Sequence, residues 1–215
     1  MGIKVKICGV NAPDALTAAV EDGADFVGFV FYPPSPRAVS REQAAELAAA
    51  VPDGIERVGL FVDPDDATLE RVLEEASLDM IQLHGRESPE RVAGVRTLTG
   101  RKVMKAIGVA SAADLDAAAE HAEAADWLMF DARPPRDRKD ALPGGNAMPF
   151  DWDLLRGRTW PVPWMLAGGL DAGNLAEAVR RSGAPAVDVS SGVEKARGRK
   201  DPALVRAFLA AARAL

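Results

Sequence analysis

Cysteine is nearly absent. Cys8 is the single thiol in 215 residues, so no internal disulfide can form. Histidine is almost as scarce: His84 and His121 lie far apart, with no Cys-x-x-Cys beside either, which excludes the usual metal-ligand spacings. No apolar run is long enough to cross a bilayer. No apolar leader is expected either: MGIKVKICGV enters a strand-like run at once, and MGIKVK lacks the Ser or Thr of a myristoylation signal. Charge of one sign is not in great excess. Twenty-six Lys and Arg against 32 Asp and Glu leave a net charge of −6, which gives nucleic acid or an anionic membrane no reason to bind. A cytoplasmic protein acting on a small molecule is the expectation.

What is present is alternation. Short apolar runs, near-continuous as in strands buried on both faces, recur along the chain: KVKIC, DFVGFVF, ERVGLFV, DMIQL, KVMKAI, DWLMFD, PWMLA and AVDVS. Amphipathic stretches lie between them, and several open on Ser or Asp and close on Gly, as capped helices do. The sixth of these is FDWDLLRG. About eight strand–helix units in residues 1–215 predict a single α/β domain, an eight-stranded (β/α) TIM barrel. An open doubly wound sheet uses the same alternation, but no G-x-G-x-x-G turn follows the first strand. A small residue followed by Asp introduces GADFVGF, SLDMIQL and AADWLMF, and GAPAVDV opens the last strand in a similar way. This fits either a weak two-unit repeat or the ordinary taste of helix-to-strand turns for small and acidic residues. Two irregular stretches follow strand ends: FYPPSPRAV and the long segment 132–149, which is long enough to serve as a lid.

In a barrel the residues just past each strand share one mouth. That rule collects Cys8, Arg37, Asp63, His84, Asp131, Gly168, Gly169 and the run Asp188 to Gly192. Cys8 alone reads as packing, because a free thiol behaves as a small hydrophobe. In this company it reads as a possible base, its ionisation helped by nearby cations or helix dipoles. Asp131 ends a strongly apolar run, where partial desolvation suits a general acid. Arg37 follows a stiff Pro-Pro-Ser-Pro run and is either a solvated surface residue or a preset clamp for a carboxylate or phosphate. AGGL and SSGVE follow strands seven and eight, where barrels commonly bind phosphate, and SSGVEKARG can form a short extra helix. His84 reads more readily as a structural hydrogen-bonding residue than as a catalyst.

KICG, FVFYPPSPR, GLFVD, IQLHG, PGG…FDW, LAGGL and VDVSSGVE occur in an order that resembles the phosphoribosylanthranilate isomerase family of tryptophan biosynthesis over almost the whole chain. The resemblance implies an Amadori rearrangement of a phosphosugar, with no cofactor and no metal. It implies Asp131 as general acid and Cys8, as thiolate, as general base. Arg37 would hold the anthranilate carboxylate. Gly168, Gly169, Ser191 and Gly192 would cradle the phosphate, and Asp188 would touch the ribose hydroxyls or orient the phosphate turn. Ala147 departs from the family pattern, which has glycine after PGG, and puts the geometry of the long loop in question. The helices show no obvious apolar dimer patch, so a monomer is expected. The barrel isomerase of histidine biosynthesis is one rival, but it carries a carboxylate where Cys8 stands. A non-catalytic phosphosugar-binding or redox-sensing barrel is the other.

Overall fold

The computed structural model describes residues 2–133, 144 and 149–215, and at residue 117 the backbone alone. Eight parallel strands close into a barrel in chain order. They are β1 (Lys4–Cys8), β2 (Phe26–Val30), β3 (Glu56–Phe61), β4 (Met80–Leu83), β5 (Lys102–Val109), β6 (Trp127–Ala132), β7 (Trp164–Leu166) and β8 (Ala186–Val189). Five helices link the early strands: α1 (Pro13–Glu21), α2 (Arg41–Ala49), α3 (Asp66–Glu75), α4 (Pro89–Thr99) and α5 (Ala112–Ala122). α6 (Leu175–Ser182) and α7 (Pro202–Arg213) follow β7 and β8. Caps read from the sequence are in place: Ser40, Asp65 and Ser88 accept from the amides of Gln43, Thr68 and Arg91. Residues Ala132 and Arg133 follow Asp131 within the described residues, but most of the long segment, including Ala147, lies outside them.

Two expected helices take other forms. FDWDLLRG makes only a 3-10 turn, Trp152–Leu155. Asp151 closes its start by accepting from the Asp153 amide, and the left-handed Gly157 (φ 72°) with Pro161 and Pro163 leaves no room for a longer helix. After β8, SSGVEKARG contributes a 3-10 turn at Ser191–Val193. The chain then turns back as an antiparallel hairpin, β9 (Glu194–Ala196) with β10 (Arg199–Lys200). The ion pair between Glu194 and Lys200 ties its two arms (2.9 Å).

The repeated Asp has a physical reason. Asp25, Asp79 and Asp126 each precede an even strand, and each makes the same two-point bond to the preceding odd strand. The amide of Asp25 donates to the Val5 carbonyl (2.9 Å), and its carboxylate accepts from the Val5 amide (2.8 Å). Asp79 does this with Arg57 (2.9 and 2.9 Å) and Asp126 with Val103 (2.8 and 2.8 Å). At the foot of a parallel pair one N–H would otherwise face no strand partner, and the short acidic side chain supplies the acceptor.

Strand alternation sorts the side chains into two cores. Outward residues such as Ile7, Val27, Phe29, Ile81, Leu128, Phe130, Leu166 and Val187 pack under the helices. Inward residues form layers. Phe26, Val58, Met80, Met104, Met129 and Met165 fill an apolar floor. The next inward positions up from the floor on β1, β4 and β8 are Lys6, Gln82 and Asp188, all buried. The top inward positions on β1 and β6 are Cys8 and Asp131, with His84 one residue past β4. The barrel is therefore apolar below, polar in the middle and open above, which is the arrangement that carries a site.

Removing the carboxylate in Asp25→Ala is expected to leave the Val5 amide without its acceptor and to lower unfolding stability by about 1–3 kcal/mol. Urea titration of parent and variant measures this, and an unchanged midpoint would show that the two-point bond contributes nothing.

Candidate active site

A cleft of about 480 Å³, counting its open mouth, lies over the C-terminal ends of the strands. Its walls include Cys8, Tyr32, Arg37, Gln82, His84, Asp131, Asp188 and Ser190. The structure thus brings together five residues that the sequence singled out from five different units: Cys8, Arg37, His84, Asp131 and Asp188. Asp63 is not among them. Its backbone is held at φ 47°, its amide donates to Glu87 (2.9 Å), and its carboxylate accepts from the Arg86 amide (2.7 Å), so it shapes the turns after β3 and β4.

Asp131 is buried, and its two oxygens have different partners. One accepts from the Ala132 amide (2.8 Å). The other lies 3.2 Å from Nε2 of His84. On the far side of the imidazole, Nε2 of Gln82 lies 3.1 Å from Nδ1. With the Gln82 amide donating there, the ring keeps its proton on Nε2 and offers it to Asp131. His84 is thus a hydrogen-bonding residue, and its partner is the candidate acid itself.

Arg37 is buried rather than solvated (4 % exposed). Its Nε and Nη2 grip the two oxygens of Glu194 at 2.6 and 3.1 Å, a fork that fixes the plane of the guanidinium. Glu194 also takes Lys200, whose ammonium donates to the Ser190 carbonyl (2.9 Å) and hydroxyl (3.2 Å). The hairpin therefore connects the Arg37 clamp to the turn after β8. Sequence reasoning missed Glu194 and Lys200, because their pairing depends on a hairpin that VEKARGRK does not announce.

Gly168, Gly169, Ser191 and Gly192 do not line the main cleft. They form two turns that touch each other at its edge. Gly168 is left-handed (φ 91°), and a Cβ on it would lie 2.7 Å from the Ala132 amide and 2.9 Å from Asp131. At Gly192 the Leu170 carbonyl already occupies the place of a Cβ. Glycine at 192 lets the two turns close on each other, and glycine at 168 lets its turn lie against the end of β6. The Gly168 and Gly169 amides make no backbone hydrogen bond among the described residues, which suits an anion cradle.

The electrostatics around Cys8 differ from the expectation. Burial pushes the thiol up, and this outweighs the pull of Lys6 and Lys200 towards the thiolate, while Asp188 opposes ionisation. Cations do surround the sulfur, but in this state of the site the balance lies above the ordinary thiol value. Lys6 was also missed by sequence reasoning. It is 0 % exposed, and its ammonium lies 2.8 Å from Asp188. The signal was available as a lysine two places before Cys8 inside an apolar strand.

A closed (β/α) barrel whose mouth holds a thiol, a carboxyl and a clamped arginine, with glycine turns at its edge, defines an acid–base enzyme for a small anionic substrate. The comparisons narrow this. The family described as N-(5'-phosphoribosyl)anthranilate (PRA) isomerase matches residues 5–211. The chain is 64 % identical over 215 residues, all of both chains, to the N-(5'-phosphoribosyl)anthranilate isomerase of Rhodospirillum centenum. It is 58 % identical to that of Paramagnetospirillum magneticum, over 99 % of this chain and 98 % of the relative. A crystal structure of the isomerase from Thermotoga maritima superposes with TM-score 0.87 at 35 % identity, covering 99 % of this chain and all of that one. Another, described as monomers generated from the dimeric Thermotoga maritima isomerase, gives 0.81 at 34 %, with the same coverage. The chain belongs to the phosphoribosylanthranilate isomerase family.

Burial works against the Glu194 carboxylate, but the hydrogen bond from Arg37 and the charge of Lys200 overcome it and hold its pKa below the usual value. Such a carboxyl adds stability above its unfolded pKa, about 4.3. That contribution is lost as pH falls through the lower folded value. Glu194→Gln is therefore expected to destabilise most at neutral pH, with the gap from the parent closing as pH drops below about 4. Urea titrations across pH read this directly. A gap that stays constant into acid would mean that Glu194 acts by shape alone.

Proposed function

We infer that this chain converts N-(5'-phosphoribosyl)anthranilate to 1-(2-carboxyphenylamino)-1-deoxyribulose 5-phosphate in tryptophan biosynthesis. The observation that carries the reading is the pairing of Cys8 and Asp131 in one cleft of a chain from this isomerase family. Asp131 is the general acid. It gives a proton to the furanose ring oxygen as the C1–O bond breaks, and the anthranilate nitrogen lone pair forms a C1=N iminium. Cys8 is the general base. Its thiolate takes the C2 proton, the C–H pair becomes the C1=C2 bond, and the iminium pair returns to nitrogen. The enol then loses its O–H proton and gains one at C1, which gives the ketone. Hydrogen moves within one molecule, so the chemistry calls for no external redox partner.

Arg37 holds the anthranilate carboxylate. Its burial in the cleft wall and its fork on Glu194 support this role, because a guanidinium already fixed in plane needs little further ordering to meet a planar carboxylate. Gly168, Gly169, Ser191 and Gly192 hold the phosphate through backbone amides in the two touching turns. Asp188 orients the β8 turn from below, through Lys6, and borders the ribose. A thiol that must stay reduced to act as base suits a cytoplasmic setting. No helix among the described residues is long and apolar enough to cross a membrane. The chain is proposed to be a monomer. Among the described residues the large exposed apolar side chains are Leu98, Leu204 and Leu215, a sparse set for an obligate interface. Sedimentation at micromolar concentration separates this from the dimer described for the Thermotoga maritima relative.

Freshly made phosphoribosylanthranilate is fluorescent, and its decay with purified protein reads turnover. Cys8→Ala and Asp131→Asn are each expected to lower kcat by about two to four orders of magnitude while the protein still binds a phosphosugar. Full activity in either variant would remove that residue from its role.

A further inference from the structure

Lys6 does no work in the steps above, yet it is the largest side chain with no exposed surface in the barrel. It shares the inward face of β1 with Cys8, two residues below it. Packing does not explain it, because the apolar cluster inside the barrel is already built from side chains such as Phe26, Met80, Met104 and Met165. Stability does not explain it either. A buried ion pair such as Lys6–Asp188 contributes little beyond what apolar side chains of the same volume would. The shape of the neighbouring strand points elsewhere. Gly28 of β2 is paired in register with Cys8, and a Cβ on Gly28 would lie 3.2 Å from both the Cys8 sulfur and the Lys6 ammonium nitrogen. The missing side chain leaves one gap, and the thiol and the ammonium both reach into it.

We propose that Lys6 is a positioning residue for the base: its ammonium, pinned by Asp188, holds the Cys8 thiolate in the gap left by Gly28 and supplies the charge that ionisation needs. The proposal rests on the reading of Cys8 as general base. Burial alone keeps a thiol protonated, and an adjacent ammonium reverses part of that cost. The Lys6 charge favours the ionised sulfur, and both groups face the same gap. Other charged groups face the same space. Asp188 on β8 opposes the thiolate, and Lys200 on β10 favours it at longer reach, although burial lowers the pKa of Lys200 itself. Arg37 is balanced by Glu194, and His84 and Asp131 lie in the opposite wall. Lys6 is the cation pinned on the sulfur's own strand.

The test uses the fact that Cys8 is the only thiol. The rate of its alkylation by iodoacetamide is followed against pH in the parent, Lys6→Met and Lys6→Arg, beside kcat and KM profiles. Lys6→Met is expected to raise the alkylation midpoint by about one pH unit or more. Its kcat should fall at neutral pH and recover as pH rises, with little change in KM, while Lys6→Arg keeps a midpoint near the parent. An unchanged midpoint in Lys6→Met, whatever happens to the rate, overturns the proposal. If Lys6→Met does not fold because Asp188 is left unpaired, the same comparison is made between Asp188→Asn and Lys6→Met/Asp188→Asn. There the second substitution must still raise the midpoint. Alkylation needs no substrate, so the two claims fail separately: an active Cys8→Ala enzyme sinks the base assignment, and an unmoved midpoint sinks the role of Lys6.

Discussion

The ammonium of Lys6, with no exposed surface at the middle of a closed barrel, sets the terms for everything above it. Water cannot reach it, so its charge must be met by a protein anion, and the reach of the side chain limits the choice to a neighbouring strand. β8 is that neighbour. Asp188 stands in register with Lys6, and the 2.8 Å contact joins the first strand to the last. The same bond that satisfies the lysine thus helps close the barrel and fixes the height of the turn that follows β8. Satisfaction then spreads outward. Ser190, two residues on, receives Lys200. Lys200 shares Glu194 with Arg37, and Arg37 reaches back across the mouth from the loop after β2.

This chain of partners explains why the site holds its shape. Each charged group that borders the cleft on the β1–β2–β8 side is held by another, so few side chains need to order when a substrate enters. The opposite wall uses a hydrogen-bonded relay instead, with Gln82, His84 and Asp131 bonded in sequence. One wall therefore carries paired charge and suits an anionic substrate. The other presents a carboxyl on a hydrogen-bonded imidazole and suits proton transfer. Glycines mark where the walls meet: Gly28 makes room for the thiol and ammonium, and Gly168 lets its turn lie against Asp131.

Much of this was legible in the sequence, and the exceptions have a common cause. The strand runs were readable because both faces of each are buried, and Cys8, Arg37, Asp131 and Asp188 were readable because strand ends in a barrel share one mouth. The two expected helices failed for local reasons: Gly157 and the prolines after it stop one, and the Glu194–Lys200 pair folds the other into a hairpin. Lys6 and Gln82 were hidden inside largely apolar runs, where a single polar residue looks like noise. Only strand alternation with a closed topology reveals that such a residue points at the axis. Glu194 was hidden because its role depends on partners 157 positions away at Arg37 and 6 away at Lys200. The aspartates before β2, β4 and β6 stood between two explanations until the paired bonds to β1, β3 and β5 gave them one.

The raised thiol bears on the order of the proposed steps. A base that burial keeps protonated is a poor start for a reaction that begins with proton abstraction. The rearrangement begins at the other wall. When Asp131 protonates the ring oxygen, the anthranilate nitrogen becomes part of a cationic iminium in the cleft that Cys8 borders. That new positive charge acts on the thiol in the same direction as Lys6 and Lys200. It also acidifies the C2 hydrogen that the thiolate must take. The pull on the Cys8 thiolate and the activation of its target therefore strengthen together as the acid acts. A lone thiol at the end of the first strand suits this order of events, because the charge that favours its thiolate grows as the chemistry proceeds.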